Sequence, residues 1–175
     1  MSSELQLEGG CLCESVRYKI TFPAHHDLAN DTLGCICQCT QCRKQTGSFF
    51  LATLTVPISA IKWQGESESR IKRYKKTETI SRGFCDTCGS FLFWHPDGKD
   101  ISIATGSLDP AYLLGEGAER TDGRVPADGY ANQIFGGWFN VEFCESEIKG
   151  VTDNMPILHK GTRCQGDSSK LSSDS

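Results

Sequence analysis

The chain has little of what would send it to a membrane or to nucleic acid. It lacks any run of the roughly 18 apolar residues that a membrane-spanning helix requires. It lacks a basic surplus, since 18 lysines and arginines stand against 22 aspartates and glutamates, a net charge of −4. Nucleic-acid binding calls for a basic footprint, and anionic lipid for a basic patch, so neither is an expected partner. The opening residues, Met1 to Gly10, lack a basic segment followed by an apolar one, so no secretory signal is expected there and the expected location is the cytoplasm. Proline is sparse, with six residues, and no linker divides the 175 residues, which suit one domain. Long helical periodicity is missing as well.

Cysteine, by contrast, is abundant, with ten residues at positions 11, 13, 35, 37, 39, 42, 85, 88, 144 and 164. In a reducing compartment they do not serve as disulfides, so spacing decides between metal ligands, catalytic thiols and core residues. Cys144 and Cys164 stand alone and read as small buried hydrophobes.

Strand signals dominate the rest. Val16, Tyr18, Ile20 and Phe22 alternate with polar residues, as do Phe50, Ala52, Leu54 and Val56 before Pro57. Short strands are expected at Ile71 to Tyr74, Thr79 to Phe84, Phe91 to Trp94 and Ile101 to Ala104, with His95-Pro96-Asp97-Gly98 as a hairpin loop. A last strand is expected from Ile134 to Phe143, broken at Gly136-Gly137. Thr40 to Thr46 and Asp109 to Leu114 read as short helices, the second with Asp109 as N-cap and Pro110 in the first helical position. Gly115 to Tyr130 reads as a surface loop. From Gly161 to Ser175 the chain is polar and serine-rich and reads as a loose tail.

Cys85-Asp86-Thr87-Cys88-Gly89 is a C-x-x-C-G knuckle, in which Gly89 tolerates the positive φ that such a turn demands. Two further thiols would complete a tetrahedral zinc site, and Cys11-Leu12-Cys13 supplies them most economically. The competing readings are unrelated core thiols, which needs four chelating spacings by chance, and a redox pair, which lacks a strand-to-helix context. Cys37-Gln38-Cys39-Thr40-Gln41-Cys42 places three thiols in one short loop. Three protein ligands leave a fourth position open, the mark of a catalytic zinc, and a three-thiolate ion suits a soft incoming thiolate better than hydrolysis. Cys35 shares a strand face with Cys37 and Cys39 and is an alternative fourth ligand. An extended spacing of about 6.6–7 Å is too long to chelate unbent, which favours Cys35 as a thiol packed behind the site.

These blocks resemble a known family. Gly10-Cys11-Leu12-Cys13-Glu14-Ser15-Val16-Arg17-Tyr18 is similar to the opening G-x-C-x-C-G-x-V-x-Y/F of the glutathione-dependent formaldehyde-activating enzymes, a family that includes centromere protein V. Cys37 to Ser48 resembles its C-H-C-x-x-C-R-K-x-x-G-S block, Arg82 to Ser90 its R-x-F-C-x-x-C-G-S block, and Thr105 to Asp109 its G-S-L-D segment. Gln38 and Gln133 stand where the family often carries His. The resemblance implies a mainly β single domain of small zinc-stabilised sheets with few short helices over residues 1–160, followed by a flexible polar tail over 161–175. It implies a structural zinc on Cys11, Cys13, Cys85 and Cys88 and a second, catalytic zinc on Cys37, Cys39 and Cys42. The implied activity is that of a carbon–sulfur lyase acting on adducts of glutathione, or another small thiol, with formaldehyde or a related aldehyde. Arg43 and Lys44 are expected to bind a glutathione carboxylate, and Ser107 to line the pocket. Two alternatives remain: recruitment of the enzyme to another small-molecule step, or a non-catalytic zinc-stabilised binding module.

Overall fold

The computed structural model describes residues 4–31, 33–118 and 129–168. Its strands are β1 (Gln6–Gly10), β2 (Arg17–Thr21), β3 (Leu33–Cys37), β4 (Leu51–Val56), β5 (Ile61–Trp63), β6 (Ile71–Thr77), β7 (Ile80–Cys85), β8 (Phe91–Pro96), β9 (Ile101–Ala104), β10 (Phe139–Glu142) and β11 (Thr162–Arg163). Three short helices join them: α1 (Thr40–Thr46), α2 (Pro110–Leu113) and α3 (Ala131–Gly136). The architecture is therefore mainly β. No helix among the described residues is long and apolar enough to cross a membrane.

The strands form two sheets, one in the order β1-β2-β5 and one in the order β11-β10-β3-β4-β9-β8-β7-β6. Pairing is antiparallel except around β10, which runs parallel to both β3 and β11. The period-2 pattern of the sequence sets the core. Leu7, Tyr18, Ile20 and Ile61 of the small sheet and Leu54, Val56, Phe93, Ile101 and Ile103 of the large one lie in a single buried cluster. A second cluster gathers Ile36, Phe139, Val141, Cys144 and Leu158 around β3 and β10.

Three sequence expectations change. Ile134 lies on α3, not on a strand, because a helical turn lets it enter the main core while Phe135 packs against both clusters. The hairpin loop after β8 is shorter than expected, since His95 and Pro96 still pair with Ser81 and Ile80. The chain does not become loose at Gly161: Thr162 and Arg163 pair with Asn140 and Val141, Cys164 is 3% exposed, and the Ser168 backbone N–H donates to Glu142 at 3.0 Å. The backbone bonds of β11 and the burial of one thiol offset the ordering cost that its polar composition suggested. Residues 169–175 of the expected tail, and 119–128 of the expected loop, lie outside the described residues.

Two close approaches bring distant loops together. Gly9 bridges to Leu108, and a Cβ at Gly9 would lie 2.4 Å from both the Ser107 carbonyl oxygen and the Tyr18 hydroxyl. Only glycine fits there, so the end of β1, which leads into Cys11, is laid against the segment after β9.

Candidate metal centres and cleft

The first thiol cluster joins the turn after β1 to the end of β7. The Sγ atoms of Cys11, Cys13, Cys85 and Cys88 all lie within 4.8 Å of one another. Cys11 and Cys13 are 3.6 Å apart, and Cys13 and Cys85 are 3.8 Å apart. Metal–sulfur bonds of about 2.3 Å in a tetrahedron give edges of about 3.8 Å, so the donor set fits zinc. The surroundings suit thiolates: the Val16 N–H donates to Cys11 Sγ at 3.3 Å and the Thr87 N–H to Cys85 Sγ at 3.4 Å. Gly89 has φ of 74° and its N–H closes the knuckle on the Cys85 carbonyl. The Ser90 hydroxyl contacts Cys88 Sγ at 3.2 Å and also accepts the Leu12 N–H, tying the two loops together. Hydrogen bonding to Ser90 pulls the Cys88 thiol down to about 5, while burial pushes Cys11 up to about 12. Cys13, bonded to Ser15, is also lowered.

The second cluster is built at the β3–α1 junction. Cys37 ends β3, Cys39 is the N-cap of α1, and Cys42 lies in its first turn, with all three Sγ atoms within 4.8 Å. Cys39 Sγ accepts the Cys42 N–H at 3.4 Å, a thiol doing the work of a Ser or Asp cap. Cys39 is held well below the ordinary thiol range by hydrogen bonds from Cys37, from Cys42 and from backbone N–H groups of the helix start. Cys37, which donates to Cys39, is raised. For Cys42 the lowering by Cys37 is outweighed by its bond to Cys39 and by burial, which push it up to about 12.

The other cysteines stay outside both groups. Cys35 is not among the three clustered thiols, and burial, followed by the facing Glu142 carboxylate, holds it well above the ordinary thiol range. Cys144 and Cys164 are buried, as expected of lone cysteines.

Leu51, Ala104 and Phe91 pack on the three-thiol cluster, and the same three residues line a cleft of about 720 Å³. The cleft also takes in Cys11 and Cys88, Gln45 and Thr46 of α1, and Arg17, Ser107 and Asp109. Part of its polar wall is made of closed pairs. The Arg17 Nη1–H donates to Asp109 Oδ1 at 2.8 Å, and Nη2 to the other carboxylate oxygen. The Ser107 hydroxyl donates to the Ala104 carbonyl at 2.7 Å and lies 2.8 Å from the Tyr18 hydroxyl. Asp109 does occupy the N-cap position of α2, but its side chain makes no cap bond and serves Arg17 instead.

Of the three expected substrate contacts, Ser107 lies on the cleft and Arg43 and Lys44 do not line it. Arg43 donates Nε–H to the Phe49 carbonyl at 2.9 Å and Nη2–H to the Ser146 carbonyl at 2.7 Å, tethering α1 to the segment after β10. Lys44 is exposed. Gln38, between Cys37 and Cys39, is fully buried with neither amide atom paired. Asp109, which the sequence offered both as a cap and as a pocket residue, lines the cleft, whereas Gln45 and Arg17 were not singled out: an isolated Gln on a helix, or an Arg 92 positions from the Asp it pairs with, carries no local pattern.

A solved structure of a Rhodobacter sphaeroides protein aligns with 69% of this chain and 99% of its own, at 21% identity and a TM-score of 0.47. The model of one family, described as glutathione-dependent formaldehyde-activating enzyme, matches residues 6–120, a span that contains both thiol clusters and the Arg17, Gln45, Ser107 and Asp109 walls of the cleft. The chain belongs to the glutathione-dependent formaldehyde-activating enzyme family.

Proposed function

We propose that this protein is a zinc-dependent carbon–sulfur lyase that makes and breaks adducts between glutathione and a small aldehyde, with formaldehyde as the simplest case. The observation that carries the reading is the open three-thiol cluster, whose packing residues also form the wall of a cleft of about 720 Å³. Family membership supports the choice of glutathione and formaldehyde. A zinc ion on three thiolates supplies a fourth position at which a substrate thiol stays deprotonated at neutral pH.

In this reading the two clusters divide the work. Cys11, Cys13, Cys85 and Cys88 hold the closed, structural ion and fasten β1 to β7. Cys37, Cys39 and Cys42 hold the second ion at the start of α1, where the N-terminal N–H groups favour negative charge. In the forward direction a carbon–sulfur bond forms between thiolate and aldehyde carbon, the carbonyl π pair moves to oxygen, and that oxygen takes the proton the thiol gave up. The reverse breaks the same bond and returns thiol and aldehyde. Ser107 stands on the cleft wall, with its hydroxyl fixed by Ala104 and Tyr18. Arg43 positions α1 through two carbonyls, and Lys44 remains a solvent-side cation.

The test is exchange of isotope-labelled formaldehyde into S-hydroxymethylglutathione, followed by NMR with purified zinc-loaded protein. Acceleration over the spontaneous rate, abolished by Cys42→Ser, is expected. A zinc-loaded protein that accelerates neither this exchange nor that of other glutathione–aldehyde adducts would be the binding module instead.

A further inference from the structure

The cleft contains one polar group with no explanation in the fold. Gln45 lies three residues after Cys42 in α1, so the two side chains share a helix face. Gln45 lines the cleft, both atoms of its carboxamide are buried, and neither has a hydrogen-bond partner among the described residues. Buried amides are nearly always paired, and one left unpaired destabilises the protein. Leu or Met at this position would keep the helix and remove that cost. The other polar side chains near it are already committed: Arg17 to Asp109, Ser107 to Ala104 and Tyr18, and Thr46 to the Cys42 carbonyl at 2.8 Å. Gln45 therefore carries an unmet donor and an unmet acceptor, one helical turn from a thiol of the three-thiol cluster.

We infer that Gln45 is the residue that selects peptide thiols over simple ones, its carboxamide donating to the carbonyl and accepting from the N–H of the cysteinyl residue, one from each of the two peptide groups that flank the ligand's sulfur. The inference rests on the thiol-adduct reading for its substrate. The chemistry is complementary: a carboxamide offers one donor side and one acceptor side, as the N–H and C=O of a single residue in an extended peptide do. In a cysteinyl peptide such as glutathione, the sulfur is two bonds from the Cα that carries both flanking peptide groups. A sulfur held at Cys37, Cys39 and Cys42 thus brings a peptide group to the turn that carries Gln45. A thiol without an amide leaves Gln45 as it stands.

The experiment measures binding of glutathione to zinc-loaded wild type, Gln45→Met and Gln45→Glu by calorimetry. Thermal melts of the ligand-free proteins and the KM for 2-mercaptoethanol in the aldehyde-exchange assay are recorded in parallel. About tenfold weaker binding to Gln45→Met is expected, the loss of one to two hydrogen bonds, with a smaller loss for Gln45→Glu. The KM for 2-mercaptoethanol should be unchanged, and the melting temperature of Gln45→Met equal to wild type or higher, because the unpaired amide is gone. Unaltered glutathione binding in Gln45→Met, a parallel loss for 2-mercaptoethanol, or no glutathione binding by wild type overturns the inference. Failure of the parent reading looks different: glutathione binds and depends on Gln45, yet wild type accelerates no adduct exchange with any thiol.

Discussion

Arg17 and Asp109, 92 positions apart, meet in a two-bond pair on the wall of the cleft. The pair joins β2 of the small sheet to the start of α2, and the Asp109 N–H bonds the Glu8 carbonyl at 3.0 Å. It therefore fixes the segment that carries Ser107 against the loop that carries Cys11. Both side chains remain partly exposed, at 27% and 29%, which limits the energy of the pair.

Asp109→Asn should destabilise the protein by about 1–2 kcal/mol, since it replaces a charge-assisted pair with neutral hydrogen bonds. Urea denaturation of the zinc-loaded protein measures this. The zinc content should not change, because neither residue belongs to a thiol cluster. A loss of metal would show that the pair supports a cluster directly.

Cys88→Ala should leave a protein that is insoluble or unfolded. Zinc held by four thiolates contributes folding free energy outright, about 10–16 kcal/mol in zinc-finger peptides. Loss of the ion leaves the turns after β1 and β7 to a few hydrogen bonds such as that from the Leu12 N–H to the Ser90 hydroxyl, with Cys13 exposed and Cys88 half-buried. Circular dichroism and size exclusion read the outcome, and a compact, metal-free Cys88→Ala variant contradicts the structural assignment.

Truncation after Lys160 should cost about 2–3 kcal/mol, through the loss of buried Cys164, the β11 pairing and the Ser168–Glu142 bonds. A cut after Ser168 serves as the reference. Equal melting temperatures for the two truncations would mean that β11 does not contribute to stability.

Much of the fold was legible in the sequence where side chains alternate. Tyr18 and Ile20, or Leu54 and Val56, face the core in strands that period-2 reading locates. Two of the strands that escaped it lack that signal: β1 reads Gln-Leu-Glu-Gly-Gly, and β3 draws its residues from a cysteine run whose spacing suggested ligands; β5 and β11, of three and two residues, are too short to show a period. The thiol clusters were legible because chelation constrains spacing locally, within C-x-C and C-x-x-C, and that spacing stands out in the sequence. The pairing of the first cluster, across β1 and β7, rested on ligand count and on the resemblance. The cleft was much less legible. Whether Arg43 faces a ligand or a carbonyl depends on where Ser146 lies, a relationship of 103 positions that no local pattern encodes. The same holds for Gln45, whose interest arises only from burial without a partner.

The central claim is that the two thiol clusters do different jobs, one holding the fold and one the substrate. Elemental analysis of zinc per chain in wild type and in Cys42→Ser, on samples shown to be folded, tests it most directly. About two zinc ions per chain are predicted for wild type and about one for Cys42→Ser, which should stay folded and lose all adduct exchange. A folded Cys42→Ser that keeps the wild-type zinc content and accelerates adduct exchange at the wild-type rate would contradict it.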